Sequence, residues 1–210
     1  MNLAKKKDIS RQELMKSIGS EFPNGKGVEV GTFKGEFSKE IIELWDGTLY
    51  MVDVWSPLDA TEYIDSSNHG NFDRGEIYGA AIDNTIGYEN RAVMVRANSE
   101  IASDIFTDGS LDFVYIDANH AYDYVVQDIE LWYPKVKPGG YLCGHDYIDM
   151  SWNEDPNFKE NGKDKHIYSG NGFYHGEFGV NPAVDEFCIE NGYEPIVTKE
   201  WFGSWMIKKK

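Results

Sequence analysis

The 210-residue sequence predicts one α/β domain: a doubly wound sheet of seven strands, mostly parallel with an antiparallel C-terminal strand, and helices on both faces. Three observations lead there. Short apolar runs rich in β-branched and aromatic residues alternate with stretches of helical periodicity. Several of these runs end on a glycine or a carboxylate, as in Val30-Gly31, Val52-Asp53 and Ile116-Asp117. No repeat, low-complexity tract or linker divides the chain, so residues 1–210 read as a single unit.

Taken in order, Ser10-Arg11-Gln12-Glu13 is a capping-box pattern, opening a short helix with Leu14, Met15 and Ile18 inward. Gly19 to Gly27, with Pro23 and Asn24, reads as a turn region, so residues 1–26 form an N-terminal helix and turn. Gly27 to Gly31 is the first buried strand, and the next helix places Phe37, Ile41, Leu44 and Trp45 on one face. Asp46-Gly47 ends that helix, and Thr48 to Val54 is the second strand. Residues 55–75 are a polar insertion holding Asn68, His69 and Gly70, longer than most connections in compact domains. Ile77, Tyr78, Ala81, Ile82 and Ile86 mark a helix closed by Gly87, and Ala92 to Arg96 is the third strand. Ser99 is placed as the cap of a short helix carrying Ile101, Ala102, Ile105 and Phe106.

Within Leu111 to Tyr122, the run Phe113 to Ile116 is the central strand, short, uninterrupted and suited to burial on both faces of a parallel sheet. Tyr122, Val125, Val126, Ile129, Trp132 and Tyr133 follow at helical spacing, and Lys137 to Gly140 forms a turn before the strand Tyr141 to Gly144. Residues 147–180 are a second irregular insertion. Its histidines His166 and His175 and its aromatics Trp152, Tyr168, Phe173 and Tyr174 are expected to form a lid over an acceptor. Asn181-Pro182 starts the last helix as cap and first position, and Asn191-Gly192 closes it. Tyr193 to Thr198 and Ser204 to Lys208 complete the sheet.

A formal net charge of −16 repels phosphate backbones and anionic lipid heads, so nucleic acid and membrane surfaces are disfavoured as partners and a small molecule is favoured. Lys5 to Lys7 are not followed by an apolar signal-peptide core, and no stretch approaches a membrane span. Cys143 and Cys188 have neither framework nor metal-ligand spacing and read as packing residues in a reducing cytoplasm. The oligomeric state is open at this level, since the N-terminal helix can pack on its own domain or pair with a neighbour.

The turn Glu29-Val30-Gly31-Thr32-Phe33-Lys34-Gly35 joins the first strand to its helix. A dinucleotide fingerprint requires glycine at position 33, and the phenylalanine there blocks close approach of a pyrophosphate. The turn offers the carboxylate Glu29 and no phosphate-binding lysine pattern, so a cofactor with an ammonium group fits it better than NAD. Asp53 ends the second strand, where an acidic residue can accept hydrogen bonds from ribose hydroxyls. Trp55 just beyond is placed against an adenine ring.

On Glu29, Gly31 and Gly35, the Val52-Asp53-Trp55 strand end and Lys137-Pro138-Gly139-Gly140, the chain resembles the class I S-adenosylmethionine-dependent methyltransferases, whose sheet is Rossmann-like. The segments Asp112 to Tyr122 and Gly144 to Tyr147 resemble the metal-dependent sugar and macrolide O-methyltransferase branch. The resemblance implies that Glu29, Gly31, Thr32, Phe33, Gly35, Asp53, Val54, Trp55, Asn98, Ser99 and Asp117 contact S-adenosylmethionine. It also implies a base at His120.

O-methyl transfer requires the acceptor hydroxyl to lose its proton, and a divalent cation or a general base assists. Asp117 ends one strand while His145 and Asp146 follow its expected neighbour, so Asp117, His145 and Asp146 are the metal-ligand candidates for Mg²⁺ or Mn²⁺. His120, three residues beyond Asp117, is the candidate base, with Asp117 beside it in the catalytic set. The family places an acidic pair, or an acid and an amide, where this chain has His145-Asp146. An alternative is therefore a catalytically degenerate binding module on the same fold. A NAD-dependent oxidoreductase is disfavoured by Phe33 and by the absence of a Tyr-x-x-x-Lys pair in the expected region.

Overall fold

The computed structural model describes residues 5–6, 8–58, 73–148 and 179–210. The two insertions, with the expected lid residues and Asn68 to Gly70, lie for the most part outside the described residues. In chain order the elements are β1 (Lys5–Lys6), α1 (Arg11–Glu21), β2 (Lys26–Val30), α2 (Glu36–Leu44), β3 (Thr48–Asp53), α3 (Arg74–Asn84) and β4 (Ala92–Arg96). They continue with α4 (Ser99–Ser103), β5 (Leu111–Ile116), α5 (Tyr122–Trp132), β6 (Val136–Tyr147), α6 (Val180–Asn191), β7 (Ile196–Val197) and β8 (Gly203–Lys208).

The seven expected strands form one sheet in the order β7-β8-β6-β5-β2-β3-β4, and the two-residue β1 adds at the β7 edge. β8 runs antiparallel to both β6 and β7, and the other pairs are parallel. The strand order reverses between β2 and β5, which is where open α/β sheets leave a crevice beyond their carboxyl ends.

Alternation along β5 divides the core. Phe113 and Tyr115 pack with α1, α2 and α3 residues on one face. Val114 and Ile116 pack with α4, α5 and α6 residues on the other. All six β5 residues are buried, as a strand covered on both faces requires. Cys143 and Cys188 are free and buried within these cores. Among the described residues no helix is long and apolar enough to cross a membrane.

Several boundaries differ from expectation for physical reasons. Gly19 to Glu21 belong to α1, where Gly19 packs against the Trp45 indole. Lys137 to Gly140 lie inside β6, which extends to Tyr147 through antiparallel pairing of its distal half with β8. Asn98, not Ser99, caps α4, its side chain accepting from the Ile101 N–H at 2.9 Å. Ile101 and Ile105 face solvent, because so short a helix buries only Ala102 and Ser103. Helix α6 begins at Val180, after Gly179 at the cap position, so Asn181 is helical and not a cap.

Candidate active site

Registration of the sheet brings the ends of β2, β3, β5 and β6 to one level. The Asp117 N–H donates to the Val30 carbonyl at 2.7 Å, and the Gly31 N–H donates to the Val52 carbonyl at 2.9 Å. Gly31, at φ 91°, lies so close to β5 that a Cβ there would run into the Asp117 carbonyl oxygen. Its glycine is thus required by the neighbouring strand as well as by the turn. A cleft of about 670 Å³ opens at this level, within the usual range for small-molecule sites.

At one end of the site, three side chains from β5, the following loop and β6 converge. His120 Nε2 lies 2.8 Å from Asp146 Oδ2 and 3.4 Å from Asp117 Oδ1. One ligand atom from each of Asp117, His120 and Asp146 falls within 4.8 Å of the others. A single ring nitrogen facing two carboxylates needs positive charge at that point, supplied by a proton on Nε2 or by a cation. His145 approaches from the flank, its Nδ1 3.0 Å from Asp146 Oδ1 and 3.8 Å from Asp117 Oδ2. The imidazole that joins the two carboxylates most closely is therefore His120, with His145 packed against the outer oxygen of Asp146.

Local structure explains the convergence. The β6–β8 register shifts between Gly144 and Tyr147, and Asp146 sits in this irregularity at φ 54°. Such a bulge re-aims a side chain that regular pleating would send elsewhere. Asn119 is buried and its Oδ1 accepts from the Ala121 N–H at 2.8 Å, fixing the loop that carries His120. The His120 carbonyl accepts from the Gly179 N–H at 2.8 Å. Burial acts to raise the Asp146 pKa, but hydrogen bonds and charge from His120 and His145 hold it well below the usual carboxylate range. For His145, burial is outweighed by the Asp146 hydrogen bond and the Asp117 and Asp146 charges, so its pKa is raised.

The glycine turn occupies the other end. Glu29 is buried and accepts a hydrogen bond from the Ser38 hydroxyl. Burial pushes its pKa up to about 8 against that bond, and the Asp117 and Asp53 charges add to the rise. Thr32 is buried and its Oγ1 has no partner among the described residues, an orphaned polar atom on the cleft wall. Asp53 accepts from the Phe33 N–H at 2.8 Å and the Trp55 N–H at 2.9 Å, one bond per oxygen, while burial raises its pKa. A carboxylate has about four acceptor sites, so these bonds leave capacity for a ligand hydroxyl.

Of the residues expected to contact the cofactor, Glu29, Gly31, Thr32, Phe33, Asp53, Val54, Asn98, Ser99 and Asp117 line this cleft. Gly35 and Trp55 do not. Gly35, at φ 72°, starts α2 and packs against the α3 backbone at Ala81. Trp55 is turned into the core, 2% exposed, donating from Nε1 to the Phe33 carbonyl at 2.7 Å and meeting Tyr78 edge-on. Its φ is positive, at 41°, and its ring faces the core, so it braces the turn and is not a wall for a base.

Two cleft residues were not visible in the sequence as site residues. Asp128 is buried on α5, accepts from the Ser99 hydroxyl, and has a pKa pushed up to about 7 by burial. Trp132 Nε1 completes this group by donating to Ser99 Oγ at 2.8 Å. A carboxylate on the inward face between Val125, Ile129 and Trp132 was its signal. Arg11 on α1 is the second, and nothing in its local sequence separates it from a surface arginine.

Residues 28–147 match the family model described as a methyltransferase domain, more than half of the chain. The chain belongs to that methyltransferase family. Its fold is the Rossmann-like fold of its class I members. It superposes over its full length on a Staphylococcus aureus structure described as a "putative caffeoyl-CoA O-methyltransferase", with a TM-score of 0.67, 15% identity and 87% of that chain covered. An O-methyltransferase family protein from Burkholderia thailandensis gives a TM-score of 0.62 at 13% identity, covering 95% of this chain and 55% of that one. In sequence, 97 residues are 28% identical to uncharacterized protein y4gI of Sinorhizobium fredii, covering 46% of this chain. A 42-residue stretch, 20% of this chain, is 40% identical to uncharacterized protein R132 of Acanthamoeba polyphaga mimivirus. The matched stretches span 10% and 19% of those two relatives.

Proposed function

We propose that this methyltransferase takes the methyl group of S-adenosylmethionine to a hydroxyl of a small acceptor molecule, with a sugar or aromatic hydroxyl as the class. One observation carries the reading: a cleft lined by the acidic glycine turn at one end reaches Asp117 and His120 at the other. The turn's chemistry fits the cofactor. Asp53 suits a ribose diol, Glu29 would give up its proton on pairing with a bound ammonium group, Phe33 disfavours a pyrophosphate, and Thr32 Oγ1 has no partner among the described residues.

When bound, S-adenosylmethionine supplies an electrophilic methyl on a sulfonium. The acceptor oxygen forms the new C–O bond as the C–S bond breaks, leaving a methyl ether, S-adenosylhomocysteine and one proton. The acidic cleft holds the cationic cofactor more tightly than the neutral sulfur product, which favours product release. His120 takes the proton. His120 Nε2 faces Asp146 and Asp117, and the Asp146 carboxylate stabilises the imidazolium that forms. Positioning contributes alongside, because an in-line displacement depends on aligned reactants.

The same cluster supports a metal-assisted form. Asp117, Asp146 and one imidazole, His120 by proximity with His145 beside it, would hold Mg²⁺ or Mn²⁺, which supplies charge that lowers the acceptor hydroxyl pKa. The mixed oxygen and nitrogen set favours Mn²⁺ of the two.

Calorimetry with S-adenosylhomocysteine tests the cofactor, and saturable micromolar binding is expected; none at millimolar ligand rejects the reading. Methyl transfer to a panel of sugar and catechol hydroxyls separates an enzyme from a degenerate binding module. Chelator that changes neither turnover nor thermal stability, together with an active Asp117→Asn variant, excludes the metal form.

A further inference from the structure

Arg11 stands apart from the other charged groups of the cleft. The capping box at the start of α1 is satisfied by Ser10 and Glu13, so the Arg11 side chain is not needed to complete the helix. Its backbone N–H donates to Glu200 Oε1 at 2.9 Å, which ties α1 to the turn between β7 and β8. Its guanidinium lies 3.9 Å above the centre of the Phe37 ring and lines the same cleft as Asp117 and His120. Phe37 in turn packs on Tyr115 at 4.6 Å between centroids, two residues before Asp117 on β5. This places the cation over the end of β5.

The other cations of the cleft belong to its opposite end. Lys34 lies within the glycine turn, over Phe33, and the Arg74 charge acts on Asp53. The Arg11 charge acts on Glu29 at the turn and also on Tyr115 and His145 beside the end of β5, so among the described arginines and lysines of the cleft it is the one that reaches the acceptor end.

Its hydrogen-bonding capacity is largely unspent among the described residues. The ion-pair partner is Glu40, with Nη2 3.6 Å from Oε2. That is longer than the roughly 2.7–2.9 Å of a charge-assisted hydrogen bond. The same Glu40 oxygen already accepts from Gln12 Nε2 at 3.0 Å. A guanidinium has five N–H donors in a fork matched to carboxylate and phosphate geometry, and stacking on Phe37 holds that fork in place. The chain's net charge of −16 opposes any anion at long range. Screening over about 8 Å at physiological salt removes most of that repulsion, so contact with Arg11 decides the outcome.

We propose that Arg11 binds an anionic group of the acceptor, a carboxylate or a phosphate, so that the substrate is an acidic hydroxy compound and not a neutral one. This rests on the acceptor reading of the cleft given above, and it assigns Arg11 the role of a specificity residue.

The experiment measures binding of matched probes to the full chain by calorimetry, with and without saturating S-adenosylhomocysteine. One arm compares 3,4-dihydroxybenzoate with catechol, and the other compares glucuronate and glucose 6-phosphate with glucose. The anionic member of at least one arm is expected to bind about tenfold or more tightly than its neutral partner, the scale of one hydrogen-bonded charge. The arm that responds tells carboxylate from phosphate. Arg11→Gln is expected to erase the preference and Arg11→Lys to keep part of it. Equal binding of anionic and neutral probes, or a preference that survives Arg11→Gln, overturns the proposal. Thermal melts of both variants separate a lost α1–α2 contact from lost recognition: a purely structural Arg11 lowers the melting temperature and leaves the ratio of affinities where it was. Absence of S-adenosylhomocysteine binding rejects the cofactor reading alone, because the probe comparison is also made without it.

Discussion

The Asp146 carboxylate holds His120 Nε2 at 2.8 Å from a backbone conformation, φ 54°, that non-glycine residues rarely adopt. Phe33 and Trp55, the other non-glycine residues with positive φ among the described residues, lie just beyond the ends of the neighbouring strands β2 and β3. Strain of this kind costs on the order of 1–3 kcal/mol per residue and persists where surrounding structure enforces it. Its concentration around one cleft agrees with a site whose geometry is held against local preference.

Asp146→Asn separates conformation from charge. Asparagine tolerates the left-handed region, so the variant is expected to fold with a melting temperature near that of the wild type. Turnover is expected to fall by about 100-fold or more, the scale of a general base that has lost its orienting charge. Asp146→Ala should lose the same activity and also about 1 kcal/mol of stability. Denaturant titrations and initial rates on both variants check the pair; an active Asp146→Asn enzyme would remove the carboxylate from the mechanism.

Glu29 makes stability depend on pH in a stated direction. Its carboxyl is held protonated in the folded chain up to about pH 8, against a reference value of 4.5 for the unfolded chain. The folded state therefore binds the extra proton between these values, and the stability this represents is lost as pH rises through the window. Glu29→Gln cannot ionise, so its melting temperature should match the wild type near pH 4.5 and exceed it increasingly toward pH 8. A constant difference across that range would show that Glu29 ionises normally.

Ser99 is expected to matter through Asp128. Ser99→Ala removes the hydroxyl that bonds a buried carboxyl and that receives the Trp132 indole N–H. A loss of about 1–3 kcal/mol is expected for leaving such groups unsatisfied. Asp128→Asn in the same background should recover part of it at pH 8, where a carboxyl with a pKa near 7 is ionised. Urea unfolding at pH 6 and pH 8 measures both effects.

The sheet was legible in the sequence because burial on both faces leaves unbroken apolar runs; β4 was bounded to the residue, while β5 begins two residues before its apolar run, at Leu111. Asp53 and Asp117 were legible for the related reason that a parallel strand ends where its apolar run ends. Asp146 was found by proximity to the next strand, but its place within β6 depends on pairing with β8 far along the chain, which local pattern does not carry. The inward turn of Trp55 depends on a backbone torsion, and a Trp after a strand-end aspartate suggests a ligand-facing ring equally well. The roles of His120 and His145 are separated by distances to two carboxylates, which spacing along the chain does not encode. Arg11 and Asp128 became site residues only when α1 and α5 were packed against the sheet.

The contact between Gly31 and the Asp117 carbonyl bears on how the site can move. The turn at one end and the strand end at the other meet backbone to backbone with no side chain between them to act as a cushion. A shift of the glycine turn on ligand entry is passed directly to Asp117, so the two ends behave as one rigid body. Any opening and closing during turnover must then come from chain outside the sheet, and relaxation measurements should find β2 and β5 moving together or not at all.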